Sequence, residues 1–321
     1  MRVCEQCASR GALLASLAPA IERLRLNRWE LIGLLPANEA RLLDAVGART
    51  TRLGRTRHNG RSVRAESQAL RTQGARSASD ARSARSSPQA GVCRHDPRYP
   101  ARLAELECAP AALHIAAEQP GLLLDLLAHP VVAIVGSRES TYYARDTATA
   151  LARDLAGAGM TVIGGLAEGI ETAAQHGALG AGGKTIAVMA SGPDVAYPIQ
   201  SDRLHARVRE RGAAVSELPF GFRPPQPWCF LARNRIIAAL ADAVIVVEAG
   251  ASAGTLFTAE LACRLGREVG VVPGRTSDSC ARGSNALLRD GAQVVLDAQD
   301  ALGLVGAGLT GPPRCVRSLG R

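Results

Sequence analysis

Aromatic residues are scarce in this 321-residue chain, at 3% of the composition, although hydrophobic residues as a whole make up 47%. A core of the size that this content allows must therefore consist of alanine, valine, leucine and isoleucine. Lysine is scarcer still, because Lys184 is the single lysine among 38 basic residues. The excess of arginine, with abundant alanine and glycine, has the character of a coding bias and does not by itself indicate DNA binding.

Long hydrophobic runs and clustered cysteines are also missing from the sequence. No stretch approaches the roughly 18 uninterrupted apolar residues that a membrane-spanning helix needs. The run Gly11–Ala20 faintly resembles a signal peptide, but Glu5 lies where a basic region is required. The eight cysteines lack the dense spacing of a disulfide framework, which favours reduced thiols. We therefore expect a cytoplasmic protein with no membrane partner.

One cysteine pair has the spacing of a metal motif. Cys4-Glu-Gln-Cys7 is a lone CxxC, and neither a second CxxC nor an HxxxH pair follows closely. The pair is either half of a zinc site or two thiols near the start of a helix. We favour the second interpretation and predict no metal and no cofactor.

The net charge of +9 is concentrated in one segment. Ten arginines and two acidic residues fall within Arg49–Arg85, so this segment carries 10 − 2 = +8 and the rest 9 − 8 = +1. The surrounding stretch, 49–90, has no apolar period and is predicted to be a disordered linker. It either adds salt-sensitive affinity for nucleic acid or acts as a solvated tether. We predict a small helical appendage over 1–48 and a disordered tail over 306–321.

Strands alternate with helices in the main domain, which is predicted over 91–305. Short, almost continuous apolar runs followed by amphipathic segments indicate a parallel sheet covered on both faces. We predict an α/β protein with a Rossmann-like, doubly wound and mostly parallel sheet. The predicted strands are Val131–Val135, Thr161–Gly165, Thr185–Ala190, Ala213–Glu217, Ala243–Glu248 and Glu268–Val272. The predicted helices are Tyr143–Ala156, Ile170–Leu179, Ser201–Glu210, Arg233–Leu240, Thr255–Leu265 and Ser284–Arg289.

Glycines, hydroxyl groups and arginines follow several of these strands. The strand Val131–Val135 runs directly into Gly136, Ser137 and Arg138. Glycine lets the backbone approach an anion, and the N-terminus of the next helix offers unpaired amides. Because ligands of doubly wound sheets bind at the carboxyl ends of the strands, we expect a phosphate-binding site there.

Four aromatic residues fall in one predicted loop, Pro219–Ala232, and they are Phe220, Phe222, Trp228 and Phe230. Exposed rings there would stack on unpaired bases, whereas buried rings would cover the core or form a subunit contact. Both interpretations remain open. Arg233 and Arg235 follow at a predicted helix start, where two cations need an anion or a carboxylate partner.

Eight sequence blocks, in order, carry a family resemblance. They are VAIVGSR (132–138), GLAEGIETAAQHGAL (165–179), TIAVMASGPDVAYP (185–198), SELPFG (216–221), FLARNRIIAAL (230–240), VVEAGASAGTLFTAELA (246–262), GREVGVVPG (266–274) and GSNALLRDGA (283–292). Over residues 94–301 the chain strongly resembles the DprA/Smf family of DNA-processing proteins.

The resemblance implies a homodimer that binds single-stranded DNA and loads the RecA recombinase during natural transformation. It also implies an extended Rossmann fold, with a basic pocket that holds DNA phosphates while unpaired bases stack nearby. The residues that match the phosphate-binding positions are Gly136, Ser137, Arg138, Gly165, Gly169, Arg233, Asn234, Arg235, Ser252, Gly254 and Thr255. No nucleophile–base pair stands out in the sequence, so we predict that the protein is not an enzyme.

The second glycine turn departs from the family pattern at four positions. Gly164 replaces a serine, Glu168 an arginine, Glu171 an aspartate and Gln175 a histidine. Glu168 places a negative charge where a cation would bind phosphate. The glutamate either weakens DNA binding or leaves phosphate binding to Arg138, Arg233 and Arg235.

Two other functions fit parts of the sequence. Gly250–Glu260 distantly resembles the signature of the LOG family, whose members cleave nucleoside monophosphates into base and ribose phosphate. In that phosphoribohydrolase alternative Glu260 would act beside the ribose and Gly254 and Thr255 would hold the phosphate, although the glycine pattern and the glutamate spacing differ. A third possibility, motivated by Glu168, is a non-catalytic scaffold with a vestigial nucleotide pocket.

Overall fold

The structure is a computed structural model that describes Cys4, Cys7 and residues 89–119, 121–223, 227–251 and 253–310. The predicted appendage apart from the two cysteines, most of the predicted linker, the candidate residue Ser252 and the tail beyond Thr310 lie outside these residues. Within the ranges given, no helix is both long and apolar enough to cross a membrane.

Nine strands in the described ranges form a single sheet. They are β1 (Gln89–Cys93), β2 (Ala112–Ala116), β3 (Val131–Val135), β4 (Thr161–Gly164), β5 (Thr185–Val188), β6 (Ala213–Ser216), β7 (Ala243–Val246), β8 (Glu268–Val271) and β9 (Gln293–Val294). Their spatial order is β1-β2-β6-β5-β4-β3-β7-β8-β9. Strands β3 to β9 run parallel, whereas β1 and β2 are antiparallel additions at one edge.

Nine α-helices lie between or after the strands of the described ranges. They are α1 (Ala101–Ala104), α2 (Leu122–Leu127), α3 (Tyr142–Gly157), α4 (Ile170–Gly180), α5 (Asp202–Arg211), α6 (Pro227–Leu240), α7 (Gly254–Arg264), α8 (Arg282–Arg289) and α9 (Ala298–Thr310). Short 3-10 helices, Ile199–Ser201 and Ser279–Ala281, precede α5 and α8.

The central strand β3 is buried on both faces. Val131, Ala133 and Val135 pack into one hydrophobic cluster, while Val132 and Ile134 pack into another. Successive side chains of a strand point to opposite faces, so both clusters draw on the same five residues. This arrangement confirms the predicted α/β, doubly wound and mostly parallel sheet, and it explains why the strands have continuous apolar sequences.

The strand order changes direction between the neighbouring strands β3 and β7. From β3 the strands follow one another through β4 and β5 to β6, after which the chain returns to β7 and continues to β8 and β9. Val135 pairs with Val246 where the two neighbouring strands end. The loops after β3 and β7 therefore diverge around a crevice, which is the usual ligand position in doubly wound folds.

The six predicted parallel strands are all present, with ends that differ by two residues at most. Helix α6 is different, because it begins at Pro227 rather than at Arg233. A proline suits the first position of a helix, where its missing amide hydrogen costs nothing. Strands β1, β2 and β9 were not predicted, and α9 continues to Thr310, past the predicted domain boundary at 305.

Candidate functional site

Hydrogen bonds join the loops after β3 and β7 across the crevice. The Ser137 amide donates to the Glu248 carbonyl oxygen (2.7 Å), and the Thr255 hydroxyl donates to the Gly136 carbonyl oxygen (3.0 Å). The carboxylate of buried Glu248 accepts hydrogen bonds from the amide (3.0 Å) and the hydroxyl (2.7 Å) of Thr141, the residue that caps α3. Glu248 therefore fixes both loops at the point where the sheet order reverses.

A cavity of about 520 Å³, here named the switch-point pocket, opens over these loops. The predicted residues that line it are Gly136, Ser137, Arg138, Phe230, Arg233, Asn234, Gly254 and Thr255. Lining residues that the sequence analysis did not select are Glu139, Ala167, Glu171, Leu231, Ala253 and Thr258. The sequence therefore located the pocket but not its full lining.

The first turn of α7 forms one wall of the switch-point pocket. Ala253, Gly254 and Thr255 all line it, and α7 begins at Gly254. The N-terminal turn of a helix carries unpaired amide groups and a partial positive charge, which attract anions. This wall is therefore suited to a phosphate or another anionic group.

Arg138 lies at the solvent-exposed side of the same pocket. Its guanidinium carbon is 4.5 Å from the centroid of the Phe230 ring, a cation–π geometry. The Phe230 ring in turn lies 5.8 Å from the ring of Tyr197. Within the described part of the chain Arg138 forms no ion pair, so its charge is available to an anion.

Arg233 also reaches the pocket, but its charge is already matched. The residue is only 5% exposed, and its Nη2 lies 3.2 Å from the Glu171 carboxylate. Its Nη1 donates to the Val188 carbonyl oxygen (3.1 Å) and its Nε to the side-chain oxygen of Asn234 (2.8 Å). The predicted position at a helix start is wrong, because Arg233 lies inside α6. Of the two partners expected for its charge, an anion or a carboxylate, the structure supplies the carboxylate of Glu171.

Glu171 connects Arg233 to the second glycine turn. Its carboxylate accepts hydrogen bonds from the backbone amides of Gly165 (2.8 Å) and Ala167 (3.2 Å). Gly165 does not line the pocket, and a Cβ on it would lie 0.7 Å from Nη1 of Arg233. Gly165 therefore makes room for a buried guanidinium. Gly169 has φ +83°, a conformation that favours glycine.

Arg235 lies away from the switch-point pocket. It is buried and its Nη2 is 2.6 Å from the Glu217 carboxylate. It lines a different cavity of about 300 Å³, together with Phe257 and Arg264 among other residues. The structure therefore separates Arg235 from Arg138 and Arg233, with which the sequence analysis had grouped it.

All four candidate stacking residues are partly or fully buried, and three of them lie outside the switch-point pocket. Trp228 is 6% exposed and packs with Leu218 and other residues. Phe222 packs against the same cluster, and Phe220 meets His114 edge-to-face with ring centroids 5.7 Å apart. None of these three lines the switch-point pocket, and Phe230 is the one of the four that does.

A second cavity, of about 620 Å³, shares Arg138 with the first. Arg145 and Arg203 also line it, as does the exposed carboxylate of Glu168. Desolvation lowers the pKa of His176, another lining residue. The charges that line it are therefore three arginines against one glutamate. We name the two cavities together the Arg138 groove.

The other departures from the family pattern are buried. Gln175 is fully buried, and its side-chain nitrogen donates to the Ile186 carbonyl oxygen (3.2 Å). Gly164 lies within β4. Neither residue lines the Arg138 groove. Of the four departures, Glu168 therefore alters the charge of the groove, and Glu171 organises its interior.

Glu260, which the phosphoribohydrolase alternative requires beside a ribose, does not line the switch-point pocket. Its carboxylate forms an ion pair with Arg264, one turn further along α7. The phosphate-holding residues of that alternative, Gly254 and Thr255, do line the pocket. Of the residues that this alternative requires, the two phosphate-holding residues therefore line the pocket and Glu260 does not.

One group of side chains in the described ranges has the composition of a metal site, and it lies outside the Arg138 groove. The group consists of Cys4, Cys7, Cys93 and His95. None of the four lines either cavity of the groove, so a metal held there would not take part in events at the switch point.

Comparison with known sequences identifies relatives of this chain. The family model described as DNA recombination-mediator protein A matches residues 90–306. A putative DNA processing protein DprA of Mycobacterium tuberculosis is 42% identical over 183 residues, which are 57% of this chain and 47% of the relative. DprA of Streptococcus pneumoniae is 39% identical over 207 residues, which are 64% and 71% of the two chains. The chain thus spans about half the length of the mycobacterial relative.

Solved structures of similar proteins share the fold. The crystal structure of DprA from Streptococcus pneumoniae has a TM-score of 0.65 and 27% identity, covering 94% of this chain and 98% of that one. DNA processing protein A from Helicobacter pylori, studied for its single-stranded DNA binding mode, has a TM-score of 0.59 and 30% identity, covering 67% and 94%. Because the family model matches more than half of the chain, this protein belongs to the DNA recombination-mediator protein A family, DprA/Smf.

Proposed function

We propose that this protein is a non-enzymatic recombination mediator that binds single-stranded DNA along the Arg138 groove. One observation carries the proposal. Arg138 is exposed, has no carboxylate partner among the described residues and lies over Phe230 in a pocket walled by the first turn of α7. A cation, an aromatic face and a helix N-terminus are thereby brought together at the switch point.

The chemistry of the groove favours a single strand over a duplex. Arginine side chains and helix N-termini bind phosphates of either form. An aromatic ring such as Phe230 can stack only on bases that are not already stacked and paired, and such stacking tolerates any sequence. The relative from Helicobacter pylori, whose structure concerns single-stranded DNA binding, supports the same choice.

Two further parts of the proposal rest on family membership. We propose that the protein acts in the cytoplasm as a homodimer and that it delivers bound strands to the RecA recombinase in natural transformation. Sedimentation velocity tests the dimer, and RecA filament assembly on strands coated with single-strand binding protein tests the delivery. A monomer at micromolar concentration, or filament assembly unaffected by the protein, would refute the corresponding part.

The first prediction concerns the exposed cation. Arg138→Ala is expected to weaken binding of single-stranded DNA about tenfold at low salt, the equivalent of one charge-assisted hydrogen bond. If Arg138 contacts one phosphate, the slope of log K against log salt should also become shallower by about 0.7. Fluorescence anisotropy with a labelled oligonucleotide across a salt series measures both quantities.

The matched control for this experiment is Arg153→Ala. Arg153 is exposed on α3, is paired with Asp154 and lines neither cavity of the groove. Arg153→Ala removes the same charge as Arg138→Ala. Because this charge lies outside the groove, the effect on DNA affinity should be small. Equal losses in both variants would show that net charge rather than the groove binds DNA. Equal affinity of the wild-type protein for duplex and single strands would contradict the choice of ligand.

The second prediction concerns the acidic residue of the groove. Glu168→Gln is expected to raise the affinity for single-stranded DNA roughly threefold at low salt, because it removes a screened repulsion worth less than about 1 kcal/mol. The gain should disappear at high salt. Glu118→Gln, an exposed glutamate outside the groove, is the control in the same binding assay. An unchanged affinity in Glu168→Gln would place the strand elsewhere.

A further inference from the structure

Four side chains with metal-binding atoms converge at the end of β1. The sulfur atoms of Cys4 and Cys7 lie 3.5 Å and 3.3 Å from Nδ1 of His95, and the sulfur atoms of Cys93 and Cys4 are 3.6 Å apart. All four ligand atoms lie within 4.8 Å of one another. Cys7 and Cys93 are buried, and they pack against Ala111 and Ala112.

The three individual separations given above are close to the edges of a tetrahedron around zinc. Bond lengths of about 2.3 Å to sulfur and about 2.0–2.1 Å to nitrogen give edges of about 3.8 Å between two sulfurs and about 3.6 Å between sulfur and nitrogen. A disulfide requires a sulfur–sulfur distance of about 2.05 Å, which is much shorter than the separation of Cys93 and Cys4. The geometry therefore fits a shared ion better than a covalent bond.

The backbone of β1 and the turn after it set the position of two of the ligands. Cys93 is the last residue of β1, and the amide of Asp96 donates to its carbonyl oxygen (2.8 Å). This turn brings His95 to the same side as the Cys93 sulfur, although the two residues are separated by one position. The second pair of ligands is thus Cys-x-His, a spacing that a search for CxxC or HxxxH does not find.

We propose that Cys4, Cys7, Cys93 and His95 bind one structural zinc ion. Three thiolates and one imidazole fill a tetrahedral shell, so no position remains open for water or substrate, as in structural rather than catalytic zinc sites. Soft thiolate ligands select zinc over magnesium or calcium. Binding displaces the protons of the three thiols, so zinc uptake releases protons to the solvent.

The ion would join two parts of the chain that are far apart in sequence. Cys4 and Cys7 belong to the N-terminal segment, whereas Cys93 and His95 belong to the edge of the sheet. A link over such a distance restricts the unfolded chain and stabilises the folded one, because zinc binds the folded arrangement and not the unfolded chain. The proposal is independent of DNA binding, since the site lies outside the Arg138 groove.

The third prediction tests this site on the 321-residue chain. Purified without chelator and analysed by mass spectrometry for metals, the protein should contain one zinc ion per chain. Replacing zinc by cobalt should give the intense visible absorption and thiolate charge-transfer bands of tetrahedral cobalt with sulfur ligands. In competition with a chelator, His95→Gln should show a zinc affinity at least about tenfold lower than that of the wild type. Substitution of a residue that only supports a ligand already costs about tenfold in metal affinity, so loss of a ligand should cost at least as much.

Two further variants complete the test. Cys93→Ser should abolish tight zinc binding, whereas Cys280→Ser, at a cysteine outside the cluster, should keep one zinc per chain. His95 is exposed, so His95→Gln remains informative if Cys93→Ser does not fold. The proposal is overturned if the wild-type chain holds no zinc after incubation with it, if its mass shows a disulfide among these cysteines, or if His95→Gln binds zinc as tightly as the wild type.

Discussion

Gly165→Ala is expected to lower the free energy of unfolding by about 3 kcal/mol or more. The added Cβ would lie 0.7 Å from Nη1 of Arg233, so the guanidinium must leave its position beside Glu171. Separating a buried ion pair costs about 3–5 kcal/mol, because it leaves an uncompensated charge in the interior. Urea denaturation followed by circular dichroism measures the loss.

Gly180→Ala provides the control for this substitution. Gly180 is exposed at the end of α4, and a Cβ there would meet no atom within 4 Å. Alanine is the better helix former by up to about 1 kcal/mol, so this variant should unfold at the wild-type urea concentration or slightly above it. A Gly165→Ala protein with the wild-type midpoint would show that Arg233 does not depend on the space beside Gly165.

Glu171→Ala is expected to cost about 3–5 kcal/mol of stability, the largest effect of any side-chain truncation considered. The change removes the partner of Arg233 and the acceptor of the Gly165 and Ala167 amides, all inside the protein. Adding Arg233→Met to this variant should recover part of the loss, because no uncompensated charge then remains. Urea denaturation of the single and double variants measures the coupling.

Glu168→Ala is the matched control, three positions earlier in the same turn. Glu168 is exposed, and an exposed substitution away from special features changes stability by less than about 0.5 kcal/mol. The two glutamates should therefore have different effects: substitution of Glu171 should lower stability, whereas substitution of Glu168 should change DNA affinity. Equal stability of both alanine variants would mean that Arg233 finds another partner.

The fold could be predicted because burial dictates the pattern. Strands such as β3 are covered on both faces, so their apolar residues are continuous and easily recognised. The antiparallel strands β1 and β2 carry glycine, histidine and cysteine and have no such run. Their place in the sheet depends on pairing with β6, which no local pattern reveals.

The site was only partly predictable, because α6 begins earlier than the sequence analysis placed it. Residues two apart on a helix point about 200° apart. Trp228 is therefore buried within a hydrophobic cluster, whereas Phe230, which packs against that cluster, also lines the switch-point pocket. Arg233 and Asn234, three and four positions after Phe230, share its face and line the same pocket. A helix predicted to start at Pro227 would have shown from sequence alone that Phe230, Arg233 and Asn234 share one helix face and that Trp228 does not.

Ion-pair and metal partners were the least predictable features. The charge of Arg233 indicates that it needs an anion or a carboxylate, but its partner Glu171 lies 62 positions away. Likewise, His95 lies 88 positions from Cys7. Such contacts arise only when the chain is folded, so local spacing rules do not contain them.

The position of Glu248 has a consequence for how the switch-point pocket binds a ligand. The loops after β3 and β7 are both anchored to this one buried residue, through Ser137 and Thr141 and by way of its own position after β7. The two walls therefore keep a fixed separation before any ligand arrives. A surface that is preorganised in this way loses little freedom on association. The conformational entropy lost when a flexible polymer binds there is consequently that of the polymer and not of the protein. A strand that is already extended should therefore bind faster and more tightly than a flexible, coiled one.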